Sequence, residues 1–252
     1  MPGVDDGAAD LDEARAGLAV MEEQGVTTIV TTPHIRGSLT HRPGQLERYL
    51  SEIDFAFSAL ETLAARDFPA LRLDRGVEMM LDVPVPSFDD PRVRLGATSY
   101  VLCEWPHMSI PPNSTAAIRD ITAAGVIPIV AHPERYSNMS NRLDLVEDWR
   151  YAGAYVQVNS GSLVGQYGST AERLGWMILE HGWGDFLSSD YHSRGKCAIR
   201  GAASAMLERG AHAQLRALTV TNPERMLRGE APLPVDPLPE VQLGFWQKLF
   251  KR

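Results

Sequence analysis

Short runs rich in β-branched and apolar residues alternate along this chain with segments of helical period, and no other property of the sequence restricts the fold as strongly. The runs are 26–32, 71–77, 100–104, 126–131, 154–159 and 185–188. Each has the length and composition of a strand. Between and after them lie helical stretches. Residues 11–25 put Leu11, Ala14, Leu18 and Met21 on one face, with Gly25 as a stop. Residues 44–66 form a long amphipathic helix, and 114–124 a shorter one with Ser114 as its cap. Helices over 141–151, 169–181, 199–209, 212–217 and 222–228 complete the series. Six strands, each next to a helix, predict a parallel sheet with covering helices. No internal linker rich in Pro, Gly or Ser interrupts this pattern, so one domain over 1–230 is expected. A Pro-rich spacer, APLPVDPLPE (231–240), then leads to a short amphipathic segment, VQLGFWQKLFKR (241–252).

Composition excludes several classes of function. The net charge of −8 gives no overall basic footprint for nucleic acid, although a local basic pocket is compatible with it. Two cysteines, Cys103 and Cys197, make no disulfide framework, which predicts a reducing cytoplasm. No apolar run approaches the ~20 residues of a spanning helix, and the N-terminus has no signal-peptide pattern.

The residues at the ends of the strand-like runs point to chemistry. His34, Glu78, His107, His132 and Asp190 each come just after one, His192 lies two residues beyond Asp190, and Asp5 and Asp6 sit in PGVDDG near the start. A single histidine at a strand end is more often a hydrogen-bonded residue than a ligand. The repetition decides otherwise. Core packing does not require an ionisable residue at the end of strand after strand, and burying such groups costs several kcal/mol unless they are paired or metal-bound. Carboxylates and imidazoles are ligands of divalent metals, and a (β/α) barrel builds its site at the strand C-termini. Asp190 and His192, at i and i+2 of an extended segment, face the same way. Glu78 can bridge two metals with its two oxygens. Pro133 biases His132 towards an extended backbone. Arg135 is a permanent cation suited to clamping a phosphate. PGVDDG reads equally as a tight turn before a helix or as a turn that adds an aspartate ligand. His41, His181 and His212 read as surface residues, Cys103 as core, and Cys197 as a thiol with no nucleophile loop. The residues together indicate a metal-dependent hydrolase.

The segments PGVDDG, TTIVTTPH, RGVEMM, YVLCEWPH, IPIVAHPERY, SSDYH and TNPERML occur in an order that resembles the polymerase and histidinol phosphatase (PHP) superfamily. More closely they resemble its bacterial metal-dependent protein tyrosine phosphatases of capsule and exopolysaccharide synthesis, the CpsB/YwqE type. The resemblance covers residues 2 to about 229. It implies a distorted (β/α)7 TIM-like barrel with up to three divalent metals, usually Mn2+, at the strand ends. By the same resemblance His34 and His107 bind one metal with Glu78, while Asp6, His132 and His192 bind another. Glu78 and Asp190 belong to the remaining site. Arg135 matches a phosphate-binding arginine, and Arg194 is the nearest match to a second, with Lys196 the alternative. That family opens with a strand ending in Asp-x-His-x-His immediately before the turn, whereas this chain has Met1 in place of the leucine that begins the turn. The expectation is a barrel without its first strand and with fewer metals, either because the start codon is assigned too late or because the chain is shortened.

The implied reaction is hydrolysis of phosphotyrosine on a protein, the autophosphorylated kinase of polysaccharide synthesis being the expected partner. Arg135, Arg194 and His192 would act at the phosphate, with His192 or a metal-held water protonating the leaving group. A PHP phosphoesterase for a small phosphomonoester and a catalytically impaired regulatory binding protein are the alternatives. In 241–252, Val241, Phe245, Trp246, Leu249 and Phe250 gather on one side among Lys248, Lys251 and Arg252. That pattern suits either a terminal helix packed on the barrel or a weak tether to an anionic membrane surface.

Overall fold

The structure is a computed structural model that describes residues 1–140, 142–193 and 195–239. The first helix, α1 (Leu11–Glu23), starts with reciprocal capping. The Asp10 carboxylate accepts from the Glu13 N–H at 2.9 Å, and the Glu13 carboxylate accepts from the Ala9 N–H at 2.5 Å. Ala14, Leu18 and Met21 form its buried stripe, whereas Leu11, at the helix entry, is 42% exposed.

The first apolar run forms β1 (Thr28–Thr31); β2 (His34–Arg36) is a further strand just beyond the run, with Pro33 between the two lacking a ladder donor. The long helix α2 (Pro43–Asp67) follows. The second run likewise forms β3 (Arg72–Arg75), and a further strand, β4 (Glu78–Met80), follows it past Gly76. A side chain at Gly76 would meet Leu95 Cδ2 at 2.6 Å and Arg94 O at 3.1 Å, so the backbone passes where only glycine fits. The register does not change across these breaks. Thr31 pairs with Arg75 and His34 with Glu78, and the bonds Gly76 N–H to Thr31 O (2.9 Å) and Glu78 N–H to Pro33 O (3.0 Å) span the gap. His34 and Glu78 are therefore directly paired strand residues, not residues beyond strand ends.

The remaining elements are β5 (Tyr100–Glu104), α3 (Ser114–Ala123), β6 (Ile127–Ala131), α4 (Asp144–Tyr151), β7 (Tyr155–Asn159), α5 (Ser169–Glu180), β8 (Phe186–Ser188), α6 (Ile199–Glu208), α7 (His212–Arg216) and α8 (Asn222–Leu227). A π-turn over Ala217–Thr221 joins α7 to α8. All strand pairs are parallel, in the order β2-β4-β5-β6-β7-β8, with β1 paired to β3. Met79, Val101, Val130, Val156 and Val158 of the strands, with Val77 just before β4, pack against Leu50, Ile53, Ile118, Trp149, Leu174 and Ile178 of the helices, all essentially buried.

The expected barrel is not closed: among the described residues neither sheet closes, and β1 and β8 are both edge strands. A cavity of about 880 Å³ is lined by residues of both, including Ile29, Val30, Phe186 and Leu187, together with Ile129 and Met226. Among the described residues no strand lies between β1 and β8 to share backbone hydrogen bonds, and the architecture is two open parallel sheets with covering helices.

Two local expectations also change. Ser114 is the first residue of α3 rather than its cap; its buried hydroxyl accepts from Trp149 Nε1 at 3.1 Å, tying α3 to α4. The Pro-rich stretch, as far as residue 239, lies against the body instead of bridging solvent. Asn222 clamps Leu233 from both sides of its amide (3.0 and 2.8 Å), Leu238 N–H reaches Leu179 O at 3.3 Å, and Val235 and Leu238 are buried. The segment 241–252 lies outside the described residues.

Candidate metal centre

The predicted acids and histidines gather around the starts of β2 and β4 and the ends of β6 and β8. The turn at the start of the chain presents Asp5, whose carboxylate accepts from the His34 backbone N–H at 2.8 Å and from ring Nδ1 at 2.5 Å. His34 is also held through its carbonyl, which accepts from Tyr49 at 2.8 Å. Its Nε2 lies 3.9 Å from Glu78 Oε2, and its Nδ1 lies 3.6 Å from Asp6 Oδ1. Buried Glu78 bonds His132 Nε2 at 3.0 Å, and the same nitrogen lies 3.9 Å from Glu104 Oε2. His192 Nε2 lies 3.2 Å from Asp6 Oδ1, and its ring stacks on that of His34 with centroids 6.2 Å apart. Asp190 accepts from Arg135 Nη1 and, at 2.8 Å, from Asn159 Nδ2. The Arg135 guanidinium lies 4.2 Å from the centre of the Tyr167 ring, beside a second cavity of about 390 Å³ lined by Asp6, Arg135, Gln166, Tyr167, Asp190 and His192.

Charge explains how these groups titrate. The Asp5 hydrogen bond raises His34 to about 9 against the opposing effect of burial, with Glu78 adding to the rise. Burial pushes the Asp5 carboxyl up, but the bonds from His34 outweigh it and hold the group at about 2. Burial raises Glu104, and the neighbouring Glu78 charge raises it further. At His132 burial opposes the cation, yet the Glu78 hydrogen bond and charge prevail and the net direction is upward. Two buried carboxylates thus face each other across histidines, an arrangement that a divalent cation would relieve. The donor set fits one. Asp6, His34 and His192 offer ligand atoms within 4.8 Å of one another, and so do His34, Glu78 and Glu104. The His132 Nδ1 is also buried with no hydrogen-bond partner.

Asp6, His34, Glu78, His132, Asp190 and His192 therefore converge, with Arg135 beside them. His107 does not: it is exposed in the turn Pro106–Met108 and belongs to neither ligand group. Glu104 takes the place expected for it. Leu102 lines the large cavity, and alternation along β5 puts Glu104 on the same face, whereas His107 lies three residues on, past Pro106. Arg194 lies outside the described residues, and Lys196 lines the smaller cavity. His132 is not extended. It has φ +33°, as Asp5 has +54° and Asp190 +45°, a region that costs non-glycine residues on the order of 1–3 kcal/mol each. Pro133 disfavours the right-handed helical region for the residue before it but leaves this one accessible. Sequence reasoning also passed over Gln157, Asn159 and Tyr167, and named Asp5 beside Asp6 without giving it a role. Gln157 and Asn159 carried a signal, two amides at i and i+2 inside the apolar strand YVQVN. Asp5 carried none that separated it from Asp6.

A protein family described as capsular polysaccharide synthesis, CpsB/CapC, matches residues 1–228. The chain belongs to the CpsB/CapC family. Its relatives include the tyrosine-protein phosphatase YwqE of Bacillus subtilis, 26% identical over 239 residues that cover 91% of this chain and 89% of YwqE. Another is the putative tyrosine-protein phosphatase CapC of Staphylococcus aureus, 27% identical over 192 residues, 75% of this chain and 73% of that one. A solved structure from work on YwqE from Bacillus subtilis and CpsB from Streptococcus pneumoniae, presented there as unique metal-dependent tyrosine phosphatases, matches with a TM-score of 0.78 and 24% identity. The match covers 96% of this chain and 97% of that one. At that identity the likeness establishes that this CpsB/CapC-family chain shares the fold. No helix among the described residues is long and apolar enough to cross a membrane.

Proposed function

We propose that this CpsB/CapC-family protein is a metal-dependent protein tyrosine phosphatase, that its metal is Mn2+, and that its substrate is the autophosphorylated tyrosine kinase of capsule or exopolysaccharide synthesis. The reading assigns catalysis to residues 1–230 and places the protein in the cytoplasm, where Cys103 and Cys197 stay as free thiols. The observation that carries it is the convergence of carboxylates and imidazoles next to an arginine that borders an open pocket.

His34, Glu78 and Glu104, or Asp6, His34 and His192, would hold a cation, the His34 ring serving one of these groups, with His132 and Asp190 adjoining. When bound, the cation supplies Lewis acidity that neutralises phosphate charge and activates water at neutral pH. The chain's own residues do the rest. Arg135 presents a planar fork to the phosphate oxygens and orients the ester in the pocket, its plane supported by the Tyr167 ring. His192, between Asp6 Oδ1 and the Asp190 carbonyl at 3.1 Å, can hold a proton near the ester oxygen. The phenolate leaving group, with a pKa near ~10, needs only modest help. Neither cysteine suits a nucleophilic role. Cys103 is fully buried and burial pushes its thiol up, and burial raises Cys197 as well.

The test is turnover of a phosphotyrosine peptide by purified protein with Mn2+, after chelation, and with a phosphoserine peptide in parallel. Mn2+-dependent release of phosphate from the tyrosine peptide is expected. Activity that survives chelation, or that is equal on both peptides, would overturn the reading.

A further inference from the structure

We propose that Gln157 and Asn159 form a positioning bracket that spans β7 and holds the metal-side residues at the ends of β6 and β8 in their working arrangement. The inference rests on the metal-centre reading and extends it to residues that touch neither metal nor substrate.

Gln157 and Asn159 stand at i and i+2 of β7 and so face the same side of the sheet. Both are buried in a strand whose other members are apolar or aromatic. Amide groups in such a place are tolerated only if their polar atoms are bonded, and here they form one unbroken chain. The His132 backbone N–H donates to Gln157 Oε1 at 3.2 Å, Gln157 Nε2 donates to Asn159 Oδ1 at 2.7 Å, and Asn159 Nδ2 donates to Asp190 Oδ2 at 2.8 Å. The sense of the chain is forced at both ends. A backbone N–H can only donate and an ionised carboxylate can only accept, so each amide has one orientation that serves. A second tie reinforces the first. The Asn159 backbone N–H donates at 2.9 Å to Glu134 Oε1, which also accepts from Ser162 Oγ at 2.7 Å. Glu134 is fully buried and belongs to the turn between His132 and Arg135.

The two residues at the ends of the chain, His132 and Asp190, are the ones with positive φ at the ends of β6 and β8. Neither conformation is favoured locally, so something must hold each, and the bracket grips both from the strand between them. It also sorts the two oxygens of Asp190: Oδ2 is taken by Asn159 and Arg135, which leaves Oδ1 facing His192 Nδ1 at 3.8 Å. Asn159 thus selects which oxygen is available to a cation and sets the distance of Arg135 from it.

Calorimetric titration of the metal-free protein with Mn2+ tests this in the wild type, Asn159→Leu and Gln157→Met. Each substitution keeps roughly the side-chain volume, removes the amide's hydrogen bonds and adds no charge to the centre. A drop in Mn2+ affinity of roughly 10- to 100-fold is expected for each, the range for lost outer-shell partners. Melting of the metal-free proteins is measured in parallel, because an amide with a merely structural role would lower the melting temperature and leave the affinity of the folded protein unchanged. Equal affinity in the wild type and both variants overturns the bracket and leaves the metal reading standing. A wild type that takes up no Mn2+ overturns the metal reading, and the bracket with it. Should Asn159→Leu fail to fold, Gln157→Met, one link further from Asp190, carries the same comparison.

Discussion

Replacing Arg135 with alanine separates phosphate handling from metal holding. The guanidinium has two contacts, a hydrogen bond from Nη1 to Asp190 and a cation–π contact 4.2 Å from the Tyr167 ring centre. A preorganised charge stabiliser in a dry site contributes about 3–4 kcal/mol to the barrier. The Arg135 side chain is 24% exposed, so part of its field is screened and about 2–3 kcal/mol is the better expectation. At about 1.4 kcal/mol per decade, kcat/KM on a phosphotyrosine peptide should fall roughly 30- to 150-fold. Asp190 keeps its bond from Asn159 at 2.8 Å, so the manganese content should not change. Arg135→Lys keeps the charge without the fork and should recover only part of the loss. The assay is steady-state turnover with elemental analysis of the same samples. Full activity in Arg135→Ala would refute the phosphate role. Activity and metal falling together would assign the residue to holding Asp190 instead.

Glu78→Gln keeps the shape but removes the charge that faces His132 at 3.0 Å and His34 at 3.9 Å; Mn2+ affinity should fall by more than the roughly 10–100-fold of an outer-shell loss, read by calorimetry, with circular dichroism unchanged. Arg150→Met leaves Asp185, 1% exposed, with only the Val156 N–H at 2.8 Å and should cost about 3 kcal/mol in urea unfolding at neutral pH. Burial already raises the Asp185 pKa against the pull of Arg150, so the folded value lies above the unfolded one. Its contribution is then present in acid and lost as pH rises through the folded value. Without Arg150 that value rises further, and the deficit of the variant should grow as pH rises past the wild type's folded value towards neutrality; a deficit independent of pH would contradict this. Tyr136→Phe removes the hydroxyl that accepts from the Trp105 N–H at 2.9 Å, strands a buried donor, and should cost about 1–3 kcal/mol by the same unfolding measurement.

Most of the sheet could be read from the chain because strand period and β-branched content are local properties. All six runs form strands in parallel register, while β2 and β4, three residues each and set off by Pro33 and Gly76, lie beyond the first two runs and were too short to read. The open edge between β1 and β8 could not be read this way, since closure depends on which elements meet far apart in sequence. At the site, residues immediately after or within strands were legible: His34, Glu78, His132 and Asp190 all converge. His107 misled because it follows Pro106 and a turn, so the distance along the chain from β5 no longer indicates direction; Glu104, still inside the strand, retains it. Asp5 and Asp6 differ only through turn geometry. A positive φ at Asp5 sends its carboxylate to His34 and leaves Asp6 towards His192, and two adjacent aspartates give no hint of that division.

Five non-glycine residues among those described have positive φ: Asp5, His107, Met108, His132 and Asp190. Three are in the candidate centre and the other two follow β5 on the same side of the sheet. At such positions glycine relieves the backbone, so the substitutions that would most readily make the protein more heat-resistant are also the ones that would delete its acids and imidazoles. Selection for endurance and selection for turnover therefore act in opposite directions at the same few codons. A library screened for thermal survival alone should return folded proteins with an emptied centre.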